Sequence, residues 1–305
     1  MAEPRAYLNG QFLPLSAVSV PIYDGGFLQG TTVAEVFRTF GGKLFRLEKH
    51  LERLQRSLAI VDVDPGVQIA ELGRIAARLA GENHALLAPG DDLALSMFVT
   101  PGPHEDLAPP DTPARPLVCI HTRPLSFERF SAKYQDGDAL VISTIPQVSA
   151  LCWPPELKCR SRMHYYLANR QARRIDPSAR ALLLDEDGMV CEATTANVVA
   201  YFPGEGVVSP PHGIILPGIS VAMIAELCAS LGIAFVERNL SPSQIQGAEE
   251  ILLCSTSPCV LPVVRLNGKP VGTGRPGPVF DRLLAAWSGQ VGVDIAAQAR
   301  QFSRR

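Results

Sequence analysis

One lysine of this chain lies where its amine could do chemistry. Lys158 comes just before a predicted helix, and Arg160 and Arg162 follow it closely. Nearby positive charges lower the pKa of a lysine, and only the neutral amine can form an imine with an aldehyde. In an extended segment both arginines would share a face with Lys158. The pattern favours an imine-forming lysine, with an ordinary solvated lysine as the alternative.

A carboxylate stands further along the chain, after a predicted hairpin. Residues 182–184 and 189–191 are typical of two strands, and the tight turn 185–188 joins them just before Glu192. A carboxylate that faces a pyridine nitrogen keeps it protonated, which lets the ring accept electrons from a substrate carbanion. Glu192 could have this role, or it could be an exposed glutamate at a strand end.

Two further segments could bind a phosphate group. The amides of Ile219 and Ser220 would lie at the N-terminus of a predicted helix over residues 220–231, which favours anions. Ser220 could equally be an ordinary N-cap residue. Three consecutive hydroxyl residues follow a predicted strand over residues 250–253: Ser255, Thr256 and Ser257. They form either an anion cradle or a polar turn.

Turn signals and apolar periodicity predict a mixture of strands and helices around these residues. Four turn signals lie between apolar runs: Asn9-Gly10, Gly41-Gly42, residues 185–188 and Asn267-Gly268. Helices are predicted where apolar residues recur at helical spacing: residues 47–58, 68–79, 163–174, 220–231 and 279–287. Strands are predicted over residues 139–145 and 250–253 in the second half. We therefore expect a mixed α/β fold.

A polar and aromatic stretch without a clear period, residues 126–137, suits a connection between two domains. We expect an N-terminal α/β domain over residues 1–125 and a second α/β domain over residues 138–305. The chain of 305 residues is long enough for two domains with substantial cores.

Composition favours a role with small molecules. The formal net charge of -2 offers no field for nucleic acid or an anionic membrane, and no apolar run approaches the thickness of a bilayer. The seven cysteines are scattered and never form a C-x-x-C pair, so neither a zinc site nor disulfides are expected. We expect a soluble protein of the reducing cytoplasm without a bound metal.

One glycine-rich segment resembles a dinucleotide fingerprint. Residues 272–277 match G-x-G-x-x-G, but Pro276 and Pro278 are expected to oppose the helix that such a fingerprint opens. A turn is predicted there instead.

The lysine, the carboxylate, the helix start and the hydroxyl turn occur in the same order and at similar separations in the class IV, or fold type IV, pyridoxal-phosphate enzymes. Three N-terminal segments resemble this family as well: residues 7–10, 24–38 and 45–54. The family includes branched-chain aminotransferases, D-amino acid transaminases and aminodeoxychorismate lyases. The resemblance implies an N-terminal α/β sandwich, a C-terminal pseudo-barrel that binds pyridoxal 5'-phosphate, and a homodimer.

The resemblance also implies a role for each matched residue. Lys158 would hold the cofactor as an internal Schiff base and act as the general base, and Glu192 would be the partner of the pyridine nitrogen. Four residues would bind the cofactor phosphate: Arg53, Ile219, Ser220 and Thr256. A permanently charged arginine with amides and a hydroxyl suits a dianionic phosphate.

The activity implied by the resemblance is transamination, in which an amino group is exchanged between an amino acid and a 2-keto acid. Two alternatives remain open. A lyase of the aminodeoxychorismate type would use the same lysine and cofactor but eliminate pyruvate without an amino acceptor. A pyridoxal-phosphate-binding protein without turnover would keep the cofactor site alone.

The residues that would bind the substrate depart from the family's pattern. In some relatives a tyrosine after the lysine contacts the phenolic oxygen of the cofactor. Here residues 161–164 occupy that stretch, and His164 or Tyr165 could supply the contact. Pro101 stands where some relatives have an arginine. The remaining candidates for substrate binding are Arg38, Arg160, Arg162, His164 and Ser257. The preferred amino acid and its stereochemistry stay open.

Overall fold

The computed structural model describes residues 3–304, which divide into two compact units. Unit 1 comprises the described residues as far as Leu125 together with Leu157–Ser161, and unit 2 comprises Ser126–Glu156 and the described residues from Arg162 onward. The short return of the chain to unit 1 contains Lys158. The segment 126–137, predicted as a linker, clusters with unit 2.

Unit 1 is built on a six-stranded antiparallel sheet. Its strands are β1 (Arg5–Leu8), β2 (Gln11–Pro14), β3 (Val33–Phe40), β4 (Lys43–Leu44), β5 (Leu93–Thr100) and β6 (Leu117–Pro124). Its helices are α1 (Gly25–Leu28), α2 (Leu47–Ile60) and α3 (Ile69–His84), with a 3-10 turn at Leu15–Ala17. The strand order is β2-β1-β6-β5-β3-β4.

The apolar stripes of α2 and α3 pack on one face of this sheet. Leu54 and Leu58 of α2 and Leu72 of α3 lie in one buried cluster with Phe37 of β3 and Leu95 of β5. Burial of a leucine side chain contributes about 2 kcal/mol. The periodic leucines therefore fix α2, which carries Arg53, against β3.

Unit 2 combines nine strands with six helices among its described residues. The strands are β7 (Asp138–Ile142), β8 (Arg180–Leu184), β9 (Val190–Ala193), β10 (Ala196–Phe202), β11 (Gly206–Ser209), β12 (Phe235–Glu237), β13 (Glu250–Ser255), β14 (Cys259–Leu266) and β15 (Lys269–Pro270). The helices are α4 (Lys133–Asp136), α5 (Met163–Ile175), α6 (Ile219–Ser230), α7 (Pro242–Gln246), α8 (Pro278–Val291) and α9 (Ile295–Gln301), and a 3-10 turn lies at Phe127–Arg129.

Six strands of unit 2 form a closed ring of pairings. The order is β10-β13-β14-β7-β8-β9, and β9 pairs back with β10. The pairs β14–β7 and β7–β8 are parallel, whereas the other pairs of the ring are antiparallel. This closed ring confirms the pseudo-barrel implied by the family resemblance.

The turns and helices that the sequence predicts are largely confirmed. Each of the four predicted turns joins two antiparallel strands. Asn9 and Gly10, with φ of 45° and 92°, adopt the left-handed conformations that a tight hairpin requires. All five predicted helices are present, with ends shifted by up to five residues. The segment from 295 to 301 forms α9, which the sequence analysis did not predict.

The prediction that Pro278 opposes a helix was wrong. Pro278 does not oppose a helix, because it is the first residue of α8. A proline is tolerated there, since the first amide of a helix has no acceptor within it. The segment 272–277 that precedes α8 nevertheless contains no helix, as predicted.

Candidate active site

Lys158 is held in unit 1 by backbone contacts with two elements. The amide of Ala34, on β3, donates to the carbonyl of Lys158 at 3.0 Å, and the amide of Arg160 donates to the carbonyl of Thr32 at 2.8 Å. The amide of Lys158 donates to Ser57 Oγ of α2 at 3.1 Å. The lysine backbone is therefore fixed alongside the first residues of β3.

Arg53 is part of a buried ionic cluster in unit 1. Its Nε and Nη2 donate to the two carboxylate oxygens of Glu35 at 2.7 and 2.8 Å. Nδ1 of His50 lies 2.7 Å from Glu35 Oε2. All three side chains are almost wholly excluded from solvent. The guanidinium is thus clamped by a bidentate pair, which fixes its plane as well as its position.

The charge states of this cluster follow from burial and from its cations. Burial alone would raise the pKa of Glu35, but the charge and hydrogen bonds of Arg53 and the hydrogen bond of His50 outweigh it, so the pKa lies well below its usual range. Burial lowers the pKa of His50, and the charges of Arg53 and Lys158 lower it further against the opposing effect of Glu35. We therefore assign an ionised Glu35 and a neutral His50 that donates from Nδ1.

Glu192 lies on β9 in unit 2 and is coordinated by donors on both oxygens. Tyr165 Oη donates to Oε1 at 2.6 Å and Gln147 Nε2 donates to the same oxygen at 2.8 Å. Asn197 Nδ2 donates to Oε2 at 3.2 Å, and the amide of Leu216 approaches Oε2 at 3.4 Å. Glu192 is only 5% exposed. The alternative of an exposed glutamate at a strand end is wrong.

Tyr165 stays protonated in this arrangement. Burial raises the pKa of its hydroxyl, and the charge and hydrogen bond of Glu192 raise it further. The phenol is therefore a donor to the carboxylate. Tyr165 was predicted as a possible contact for the phenolic oxygen of the cofactor, but its hydroxyl donates to Glu192. The ring of His164 packs on that of Tyr165, with 4.2 Å between centroids.

The start of α6 lies beside the same network. Asn197 Nδ2 also donates to the carbonyl of Leu216 at 2.9 Å, just before the helix. The N-cap of α6 is Gly218, so the alternative of Ser220 as the N-cap is wrong. A Cβ atom on Gly218 would lie 2.0 Å from Asn197 Oδ1. The glycine lets the helix start approach Asn197, which links it to Glu192.

Thr256 and Ser257 lie in the turn between β13 and β14. Asn197 on β10 pairs directly with Cys254 on β13, two residues before Thr256. The hydroxyl turn therefore follows the strand position that faces Asn197. Within unit 2, Glu192, the start of α6 and the strand that leads into the hydroxyl turn therefore all contact Asn197.

The candidates for substrate binding lie in different places. Arg38 on β3 is 1% exposed, and its guanidinium stacks on the Phe40 ring at 4.3 Å. Arg160 is exposed in unit 1 and lies over Phe98. Arg162 is the N-cap residue of α5 in unit 2. Burial lowers the pKa of His164, and the charge of Arg162 lowers it further.

Several residues of these networks were not predicted from the sequence: Glu35, His50, Gln147 and Asn197. One signal was present for Glu35, because it stands between Val33 and Phe37 on the apolar face of β3. A charged residue on the buried face of a strand requires a buried partner. Gln147 gave no such signal, since it lies in irregular backbone.

A family model described as Amino-transferase class IV matches residues 32–266. The chain belongs to the class IV aminotransferases. It is similar to the D-alanine aminotransferase of Bacillus licheniformis, with 27% identity over 284 residues that cover 92% of this chain and 95% of that protein. The D-alanine aminotransferase of Staphylococcus haemolyticus is 26% identical over 281 residues, which cover 92% and 95% of the two chains.

Solved structures of this family share the fold. The branched-chain amino acid aminotransferase of Escherichia coli matches with a TM-score of 0.86 and 23% identity, covering 94% of both chains. Another branched-chain amino acid aminotransferase, complexed with N-(5'-phosphopyridoxyl)-L-glutamate, matches with a TM-score of 0.84 and 21% identity, covering 95% of both chains. The branched-chain aminotransferase of Thermoproteus uzoniensis matches with a TM-score of 0.82 and 20% identity, covering 95% of this chain and 96% of that chain. These structures confirm the predicted fold type.

This class IV aminotransferase exchanges amino groups between amino acids and 2-keto acids with pyridoxal phosphate as its cofactor. The donor set fits that group. Glu192 is a buried carboxylate of the kind that would pair with a protonated ring nitrogen, and the α6 start has no side-chain cap. When bound, the cofactor stores the electron pair released from the substrate carbon. No helix within residues 3–304 is long and apolar enough to cross a membrane.

Proposed function

We propose that Lys158 is the residue that holds the cofactor and that its Nζ moves the substrate α-proton. The observation that carries this proposal is the fixed backbone of Lys158, which is bonded on one side to Ala34 and on the other to Ser57. A fixed backbone restricts Nζ to one neighbourhood, which supports repeated proton transfer between the same two atoms. The role of Lys158 also agrees with its match to the lysine of the family.

We propose that separate residues hold the two ends of the cofactor. Glu192, kept in place by donors on both of its carboxylate oxygens, would keep the ring nitrogen protonated. The cofactor phosphate would be bound by the residues that the family resemblance implies: Arg53, Ile219, Ser220 and Thr256. The uncapped start of α6 supports this assignment, because its free amides and dipole favour an anion.

The experiment that tests Lys158 is reductive trapping followed by peptide mass analysis. Holoenzyme treated with borohydride should carry the cofactor mass on the peptide that contains Lys158. Lys158→Ala should abolish both the label and amino transfer, whereas the control Lys269→Ala, at an exposed position on β15, should change neither. A label on another lysine would contradict the assignment.

The substrates to test first follow from the names of the relatives. We propose alanine and the branched-chain amino acids, each as the D- and the L-enantiomer, as donors. The acceptor is 2-oxoglutarate for every donor, and pyruvate is a second acceptor for the branched-chain donors. Formation of the matching keto acid together with the aminated acceptor would support transamination. The absence of amino transfer from every one of these donors would contradict this choice of substrates.

We propose that the enzyme is a homodimer. Helix α5 exposes an apolar stripe at helical spacing, with Met163 69%, Tyr166 57% and Leu167 46% exposed in the single chain. Exposed apolar stripes of this kind are typical of subunit interfaces. Light scattering should give about twice the chain mass of 32.9 kDa. Tyr166→Glu should shift that mass toward the monomer, and a monomeric wild-type enzyme would contradict the proposal.

We also propose a reducing compartment, the cytoplasm, as its location. None of the seven cysteines, all of which lie within residues 3–304, forms a disulfide, and five of them are buried. Thiols that never pair are typical of proteins from reducing compartments.

A further inference from the structure

The segment that holds Lys158 also fixes Arg160. Val33 of β3 and Cys159 form an antiparallel bridge, and the hydrogen bonds of Ala34 and Thr32 lie on either side of it. Because Cys159 is paired as in an antiparallel strand, its neighbours Lys158 and Arg160 are expected to leave the same side of the chain there. Two residues of extended chain separate their Cα atoms by about 7 Å.

The guanidinium of Arg160 rests on an aromatic side chain of the sheet. Its central carbon lies 4.7 Å from the centroid of the Phe98 ring, on β5. The Phe98 ring in turn makes an edge contact with His121 of β6 at 6.4 Å. Stacking on an aromatic ring engages the face of a guanidinium, whereas its N–H donors point outward along its edge, where a planar anion binds. Arg160 itself is exposed in the chain.

Two titratable groups of unit 1, Cys119 and His121, lie within reach of the charge of Arg160. Burial raises the pKa of the Cys119 thiol to about 11, although the charge of Arg160 acts to lower it. Burial lowers the pKa of His121, and the charges of Arg160 and Arg123 lower it further. Both groups are therefore neutral near pH 7. The facing residues Ala34 and Phe98 are apolar.

We infer that Arg160 binds the carboxylate of the amino acid and keto acid substrates, with Phe98 as the platform that orients its guanidinium. This inference rests on the proposed role of Lys158, because the substrate must react beside that amine. A carboxylate and a guanidinium form two parallel hydrogen bonds, which fixes the substrate in one orientation.

The test compares one carbon skeleton with and without its charge. Binding of 4-methylvalerate and of its uncharged amide to the holoenzyme is measured by titration calorimetry, for wild type, Arg160→Gln and Arg160→Lys. The wild type should prefer the carboxylate, and Arg160→Gln should weaken carboxylate binding roughly 10- to 100-fold while leaving the amide unchanged. Arg160→Lys should keep part of the preference, because it keeps the charge but loses the planar fork.

A matched control is Arg123→Gln, which removes an exposed cation near His121 and should leave the preference intact. The absorption spectrum of each variant shows that the cofactor is bound. The inference is overturned if the wild type shows no preference, or if Arg160→Gln retains it. The preference for the carboxylate could depend on Arg160 while borohydride traps the cofactor on another lysine. That result would support the carboxylate site and overturn only the role of Lys158.

Discussion

The buried carboxylate of Glu35 determines how firmly Arg53 is held. Glu35→Gln keeps the shape of the side chain but removes the charge that pairs with the guanidinium. Arg53 is 3% exposed and therefore keeps a buried positive charge without its counterion. Removing one partner of a buried ion pair costs about 3–5 kcal/mol. This is a large part of the roughly 5–15 kcal/mol that stabilises a typical domain.

The assay must report on unit 1 by itself. Both tryptophans of the chain, Trp153 and Trp287, lie in unit 2, so their fluorescence does not follow unit 1 directly. Native-state hydrogen exchange of the β3 amides reports on unit 1 directly. In Glu35→Gln these amides should exchange roughly 100- to 1,000-fold faster than in the wild type, as expected for about 3–4 kcal/mol.

Two comparisons separate the ionic effect from a general loss of packing. Glu52→Gln on α2 removes an exposed carboxylate that pairs with Lys49, and should change stability by less than about 0.5 kcal/mol. The double variant Glu35→Gln with Arg53→Met removes both charges and should recover part of the loss. If Glu35→Gln alone stays within about 1 kcal/mol of the wild type, the buried ion pair does not hold β3 to α2.

Three further outcomes follow from the same structure. Folding lowers the pKa of Glu35, so the stability that its charge contributes is complete above pH 4.5, the ordinary pKa, and is lost as the pH falls. The protection of the β3 amides against hydrogen exchange should therefore drop in acid in the wild type, and should drop less in Glu35→Gln. Tyr165→Phe removes the hydrogen bond to the Glu192 carboxylate, which is worth about 1.5–3 kcal/mol. The midpoint of the pH titration of the cofactor absorbance should therefore shift by about 1 pH unit or more. An unchanged midpoint would show that this hydrogen bond has no influence on the cofactor. Gly218→Ala places a methyl group on Asn197 and should cost about 1–3 kcal/mol and weaken cofactor binding, whereas Gly213→Ala, with open space around it, should do neither.

The elements of this enzyme were predictable where the information is local. The leucine period of α2 and the Asn9-Gly10 turn each require a particular structure from a few adjacent residues. The same holds for the start of α6, because Gly218 and the apolar run after it mark a helix boundary. Lys158 and Glu192 could be selected because their types and their order along the chain match those of the family.

The partners of these residues were not predictable, because they come from distant parts of the chain. Gln147 contacts Glu192 from 45 residues away, and its own segment is irregular. Glu35 meets Arg53 only because β3 and α2 pack together. Pairings of this kind depend on the tertiary fold, and neither helical nor strand periodicity encodes them.

The membership of Leu157–Ser161 in unit 1 changes how Lys158 should be understood. From the sequence, the lysine belongs with the helix α5 that follows it. In the structure its backbone is bonded to β3 and α2, and the chain joins unit 2 again at Arg162. The position of Lys158 therefore depends on the ionic cluster that fixes α2 to β3, whereas the position of Glu192 depends on donors within unit 2. Loss of the Glu35 charge should consequently loosen the lysine and Arg53 together while the coordination of Glu192 stays intact.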